Sequence, residues 1–259
     1  MKTTATSLLM AIALCAIAAL PIAGANGALV QIGDLVLEAD GGFTPQKLPR
    51  RTFAPIDFKG HADLSTRSGA MPPALQQAVI DFDRDGRMST GGLPSCSPDR
   101  VADASPEVAR QACAAAIVGT GRIGAVVALA GQPPEATGSL LTLFNGPPQD
   151  GHATVVAHAQ ITNPVLRTFA ILIPVERRRG RFRYRATLNV PPIVPEGIGT
   201  GALTHVDAKI GRRYRANGKR RSYVSARCSD NVLETHGRFT FNDGTVIDGS
   251  VMKGCFALR

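Results

Sequence analysis

Two arginine-rich segments are the parts of this chain whose residue types and spacing most directly suggest chemistry. Arg177, Arg178, Arg179, Arg181, Arg183 and Arg185 form one, and Arg212, Arg213, Arg215, Lys219, Arg220 and Arg221 form the other. Tyr184, Tyr214 and Tyr223, all the tyrosines of the chain, lie in or beside them. Guanidinium groups hold phosphate or carboxylate through paired N–H donors, and aromatic rings stack on bases or sugars, so the mixture suits a phosphorylated or acidic polymer. Strand periodicity sorts the residues of Arg181-Phe182-Arg183-Tyr184-Arg185, placing the arginines on one face and sending the rings toward the core. A solvated face that discourages edge-to-edge aggregation accounts for the same pattern. The contacts expected to take an anion are Arg181, Arg183, Arg185, Arg213, Arg215 and Arg221.

Other motifs are weaker. Asp81-Phe82-Asp83-Arg84-Asp85-Gly86 matches the opening of an EF-hand loop, but Gly92 stands where its bidentate Glu belongs and the flanks read as strands, so a hairpin turn is expected. Gly119-Thr120-Gly121-Arg122-Ile123-Gly124 spells a dinucleotide fingerprint in the wrong context, after a helix and before a strand, and reads as a helix stop and turn. Ser250-Val251-Met252-Lys253 and Ser229-Asp230-Asn231 resemble penicillin-interacting motifs in reversed order, and no K-T-G accompanies them. On a strand, Ser250 and Lys253 would also point to opposite faces. Of the histidines, His152 and His158 could share one strand face, yet six residues at about 3.3 Å each separate them too far for one metal. A triad of Ser250, His236 and Asp230 can be written down, but so many Ser and Asp residues are present that it has no specificity. No catalytic set, metal site or cofactor is expected.

The elements that must position these residues follow an export signal. Lys2, the apolar run Ser7 to Leu20, Pro21 and the small-residue site Ala23-Gly24-Ala25 give residues 1–25 that character. The run falls short of the about 20 residues that a membrane span needs. Leu14 precedes Cys15 where a lipobox has a small residue, so Cys15 is expected to leave with the signal. Residues 26–259 then form the exported domain, with no transmembrane segment. Of the 29 Lys and Arg, only Lys2 is lost, leaving 28 against 20 acids, a formal +8 that favours anionic partners. Cys96, Cys113, Cys228 and Cys255 remain, an even count that reads as disulfides in an exported chain. Proximity in sequence favours Cys96–Cys113 and Cys228–Cys255, each bridge worth roughly 3 kcal/mol by loop entropy. Zinc would call for C-x₂₋₄-C spacing, which the chain lacks.

Short apolar alternations broken by Gly, Pro, Asn and Asp predict antiparallel strands from Leu29 onward. Hairpins are expected around Asp83 to Gly86, Asn217-Gly218 and Asn242-Asp243-Gly244. Ser105-Pro106-Glu107 opens one helix, which brings Cys113 back toward Cys96. The expected fold is one all-β domain, an antiparallel sandwich of about ten strands with one short helix and two disulfides.

FTPQKLPRRTFAPI, IDFDRDGRMSTGGLPSC, KIGRRYRANGKRRSYVSARC and FTFNDGTVIDGSVMKGC together resemble a family of uncharacterised secreted bacterial proteins. The resemblance implies a shared fold and secretion, and it brings no activity with it. The expected function is a non-enzymatic protein, secreted or held in the cell envelope, whose basic hairpins bind an anionic envelope polymer or a protein partner. Nucleic acid is not an expected partner. The competing expectation is an extracellular hydrolase using loop carboxylates.

Overall fold

The alternation of apolar and polar residues builds one large antiparallel wall. The computed structural model describes residues 27–258, and the expected signal segment lies outside them. In chain order β1 spans Ala28–Ile32, β2 Leu35–Thr44, β3 Lys47–Pro49, β4 Ala54–Pro55, β5 Asp57–Thr66, β6 Leu75–Asp83 and β7 Gly86–Met88. The helix α1 covers Pro106–Ala112, followed by β8 (Ile117–Leu129), β9 (Glu135–Asn145), β10 (Ala153–Ile161), β11 (Arg167–Arg177), β12 (Phe182–Asn189) and β13 (Gly199–Ile210). Last come β14 (Arg213–Ala216), β15 (Lys219–Ser222), β16 (Val224–Ala226), β17 (Val232–Phe241), β18 (Val246–Gly254) and β19 (Phe256–Leu258).

Twelve strands form the main sheet in the order β1-β2-β5-β13-β8-β9-β10-β11-β12-β6-β17-β18. The two ends of this order meet. A Cβ built on Gly249 of β18 would lie 3.3 Å from Val30 Cγ2 and 3.8 Å from Ala28 Cβ, both in β1. No ladder hydrogen bonds join these two strands. The all-β expectation therefore holds, while the sandwich becomes a sheet nearly closed into a barrel. Near-closure sets the two edge strands against each other, so that neither is left as open as the edge of a flat sheet of this length.

The barrel is apolar inside. Leu37, Leu64, Ala78, Phe241 and Ile247 pack near the seam, and Ala125, Val127, Ile161 and Phe169 pack against Ile193 and Val194, which follow β12. Phe58 of β5 meets Phe82 of β6 edge-to-face at 6.0 Å, a contact across the interior between strands that are not sheet neighbours. Outward positions carry Asp63, Asp81, Arg185, His205, Asp207 and His236, which pair with one another across the strands. A membrane barrel has the opposite pattern, apolar outside and polar within. Among the described residues, no helix is long and apolar enough to cross a membrane.

Both expected disulfides form, Cys96–Cys113 and Cys228–Cys255. The first fastens α1 to the outer side of β9 and β10, where Val101 and Ala109 pack on Phe144 and Val156. Ser105 caps the helix by accepting from the Val108 N–H at 3.3 Å, and Pro106 occupies its first turn. The second ties the connection between β16 and β17 to the junction of β18 and β19, beside the end of β3, where the Cys228 N–H donates to the Pro49 carbonyl. Disulfides of this kind belong to proteins of oxidising compartments.

Local expectations fare unevenly. Asn217 and Gly218, with φ of 51° and 73°, make the tight turn between β14 and β15, and Gly244 turns β17 into β18. Asp83 to Gly86 is a turn but not a hairpin, because β6 stays in the barrel between β12 and β17 while β7 pairs with β16. The glycines at 119, 121 and 124 lie within strand β8 rather than in a helix stop. There they let β8 approach the backbone of β13, where a Cβ at Gly119 would come 2.6 Å from the Lys209 carbonyl oxygen.

Candidate anion-binding site

The site begins with the three-stranded sheet β4-β16-β7. Ala226 of β16 pairs with Ala54 of β4 on one side and Gly86 of β7 on the other, so Phe53, Arg227 and Asp85 lie in one row across the sheet. Arg87 stands two residues beyond Asp85 on β7. Its guanidinium lies 5.6 Å from the centre of the Phe53 ring, that of Arg227 5.3 Å, and that of Arg183 from β12 5.2 Å. Three cations therefore converge on one phenyl ring, each drawn to its negative face.

Carboxylates from the Asp81–Gly86 segment hold this arrangement. Asp85, fully buried, accepts from Arg227 Nε at 2.7 Å and from the Ser229 N–H at 2.8 Å. Burial raises the Asp85 pKa, but its bonds from Ser229 and Arg227 prevail and hold it below the ordinary value. Asp83 accepts from the N–H groups of Asp85 and Glu234, yet burial dominates and pushes its pKa up. Asp81 takes Arg185 bidentately at 2.7 and 2.8 Å. The three acids that resemble a calcium loop thus each anchor a different neighbour. No His, Cys, Asp and Glu cluster among the described residues has the form of a metal site.

Of the six arginines singled out by the sequence, three are neutralised within the fold. Arg185 binds Asp81, Arg181 binds Glu234 at 2.5 Å, and Arg213 lies 3.3 Å from Asp57 while donating to the Ile56 carbonyl. Arg183 donates to the Arg84 carbonyl at 2.7 Å and forms no ion pair among the described residues. Arg215 and Arg221 are exposed on the β14–β15 hairpin beside Lys219 and Arg220, and none of these four pairs with a carboxylate among the described residues. The rings divide as well. Tyr184 is buried, whereas Phe182 lies against His236 on the outer face, because a bulge between Phe182 and Tyr184 breaks the alternation.

The two basic segments flank one strand. Tyr184 donates to the carbonyl of Met88 at the end of β7, and Tyr214 donates to the next carbonyl, that of Ser89. Arg87 and Phe53 escaped the sequence reading because each is a single residue outside the charge runs. Only the register of β4, β16 and β7 assembles them.

No known family model, curated protein or solved structure matches this chain. Function must therefore be read from the geometry. One cleft, about 980 Å³, is lined by Arg50, Arg51, Phe256 and Leu258 and has no carboxylate among the described residues. Another, about 570 Å³, includes Asp40, His61 and Asp207. Its acids are occupied, Asp40 by Lys253 at 2.6 Å and Asp207 by His205 at 3.2 Å. Ser250 donates to Glu234 and His236 binds Asp248, so the written triad does not assemble with Asp230, which pairs with Arg84.

Proposed function

We propose that this is a non-enzymatic, exported protein of the cell envelope or extracellular space that holds an anionic polymer at one basic end of its barrel. The observation that carries this reading is the convergence of Arg87, Arg183 and Arg227 on Phe53 while only Arg227 has a carboxylate partner. Arg183, held by its bond to the Arg84 carbonyl, and Arg87, resting over the ring, are thereby left without a compensating carboxylate among the described residues. Placing like charges side by side is unfavourable in the free protein and becomes favourable when an anion lies between them. The exposed hairpin, through Arg215, Lys219, Arg220 and Arg221, extends the charge along a surface suited to a chain rather than to a single ion. Arg181, Arg185 and Arg213 act as supports, since their carboxylate partners satisfy them.

Dextran sulfate serves as the test polymer. Wild-type protein should bind it at about 50 mM salt and lose most of that affinity by about 200 mM, as counterion release requires. Replacing Arg87, Arg183, Arg215 and Arg221 with Ser should weaken binding and flatten its salt dependence, while the exposed changes at 87, 215 and 221 each shift stability by no more than about 0.5 kcal/mol and the loss of the bond from half-buried Arg183 to the Arg84 carbonyl costs about 1 kcal/mol. Unchanged binding in this variant would overturn the assignment.

A further inference from the structure

We propose that the cleft bordered by β19 and by residues 49–52, at the end of β3, is a membrane-docking site, in which Phe256 and Leu258 enter an anionic bilayer while Arg50 and Arg51 take the lipid phosphates. Cys255 turns the chain out of β18 and into β19, which runs parallel to β3 with Phe256 opposite Lys47 and Leu258 opposite Pro49. Residues two apart on a strand share a face. Phe256 and Leu258 use that face to project outward, 62% and 49% exposed, whereas Ala257 between them packs on the core around the disulfide. Together these two side chains form a small apolar patch beside the cleft.

The opposite wall fixes the kind of partner. Pro49, Arg50, Arg51 and Thr52 line it, both arginines are exposed, and neither has a carboxylate partner among the described residues. Apolar side chains rimmed by guanidinium groups match the depth profile of a bilayer, where hydrocarbon begins just beneath the phosphates. An acidic peptide or polysaccharide would use the arginines and leave the phenyl ring in water. Arg51 stands two residues from Phe53, so the docking surface continues into the basic end of the barrel. The inference rests on the anion-binding reading for its charge and adds an apolar insertion to it.

The chain contains no tryptophan, so Phe256→Trp installs a single reporter. Phosphatidylcholine vesicles that contain phosphatidylglycerol should shift its emission to the blue and carry the protein down on sedimentation. Pure phosphatidylcholine vesicles should do neither, and Arg50→Ser with Arg51→Ser should abolish both effects. In the otherwise native protein, Phe256→Ser with Leu258→Ser should weaken co-sedimentation by on the order of tenfold while leaving dextran sulfate binding intact. Should vesicles fail to sediment the native protein while dextran sulfate still binds, membrane docking falls and the polymer site survives. A failure of both ligands would remove both proposals. A blue shift produced by dextran sulfate alone would show a soluble polymer in the cleft and overturn the membrane assignment.

Discussion

His205 shows how single residues on the outer wall combine into something sequence spacing does not reveal. Its Nδ1 lies 2.7 Å from Asp63 and its Nε2 3.2 Å from Asp207, one carboxylate from the neighbouring strand and one from its own. His61 opposes Asp207, and Glu38 opposes Asp63, in the same stretch of sheet, with Arg122 on the far side of Asp207. The bond to Asp63 raises the His205 pKa above its ordinary 6.5, assisted by Asp207 and opposed by desolvation. Because the folded value exceeds the unfolded one, protonated His205 stabilises the fold fully below about pH 6.5, and this contribution disappears as pH rises through the folded value. Melting temperature should therefore fall as pH rises above about 6.5 toward the raised folded value, and His205→Gln should flatten that fall. A variant with the wild-type slope would place the titrating group elsewhere. The arginines teach a related lesson. The sequence shows their number and alternation, but whether a guanidinium is free depends on buried acids such as Asp81 and Glu234, which reach them from other strands.

At the scale of elements, legibility followed side-chain size. Strands β9, β10, β11 and β12 advertise themselves through alternating Val, Ile, Leu and Phe, and Ser105-Pro106-Glu107 marks α1. Strand β5 leaves little trace because two of its inward positions are Gly60 and Ala62, and β13 because a bulge between Leu203 and His205 interrupts its period. The glycines of β8 look like a turn for the same reason, since a residue without a side chain gives no alternation to read. Their actual role is close approach between strands. A Cβ on Gly121 would collide with the carbonyl of Asp207 in β13, which is backbone and cannot rotate away. Gly121→Val should cost about 3 kcal/mol or more, measured by the urea midpoint. Gly42→Ala is the matching control, because nothing lies within 4 Å of the added methyl, and it should leave the midpoint almost unchanged. Equal losses in the two variants would show that the collision does not set the cost, because removing a glycine's unfolded-state freedom by itself favours folding.

On the scale of the whole molecule, alternation establishes that strands have one apolar face, and an even number of cysteines allows their pairing to be inferred from proximity. It does not establish whether that face closes on a second sheet or on itself, since curvature depends on bulges and small residues spread over twelve strands. The seam is the place to decide. Ala28 and the Cβ position of Gly249 lie 3.8 Å apart, the mean separation of bridged cysteines, and Gly249 has no positive φ that would exclude a side chain. Ala28→Cys with Gly249→Cys should therefore oxidise to a third disulfide, visible by peptide mapping without reduction. The Val30 methyl, 3.3 Å from the new Cβ, must yield by a few tenths of an ångström. By fixing β1 to β18 across most of the chain, the bridge should stabilise the protein by about 2–4 kcal/mol. Two free thiols would mean that β1 and β18 stand apart, as the edges of an open sandwich do. The same variant bears on the basic end, because β6, β12 and β17 position Arg183 and its neighbours from within the nearly closed sheet. Polymer binding unchanged by the cross-link would show that the site works on a rigid wall and needs no opening of the seam.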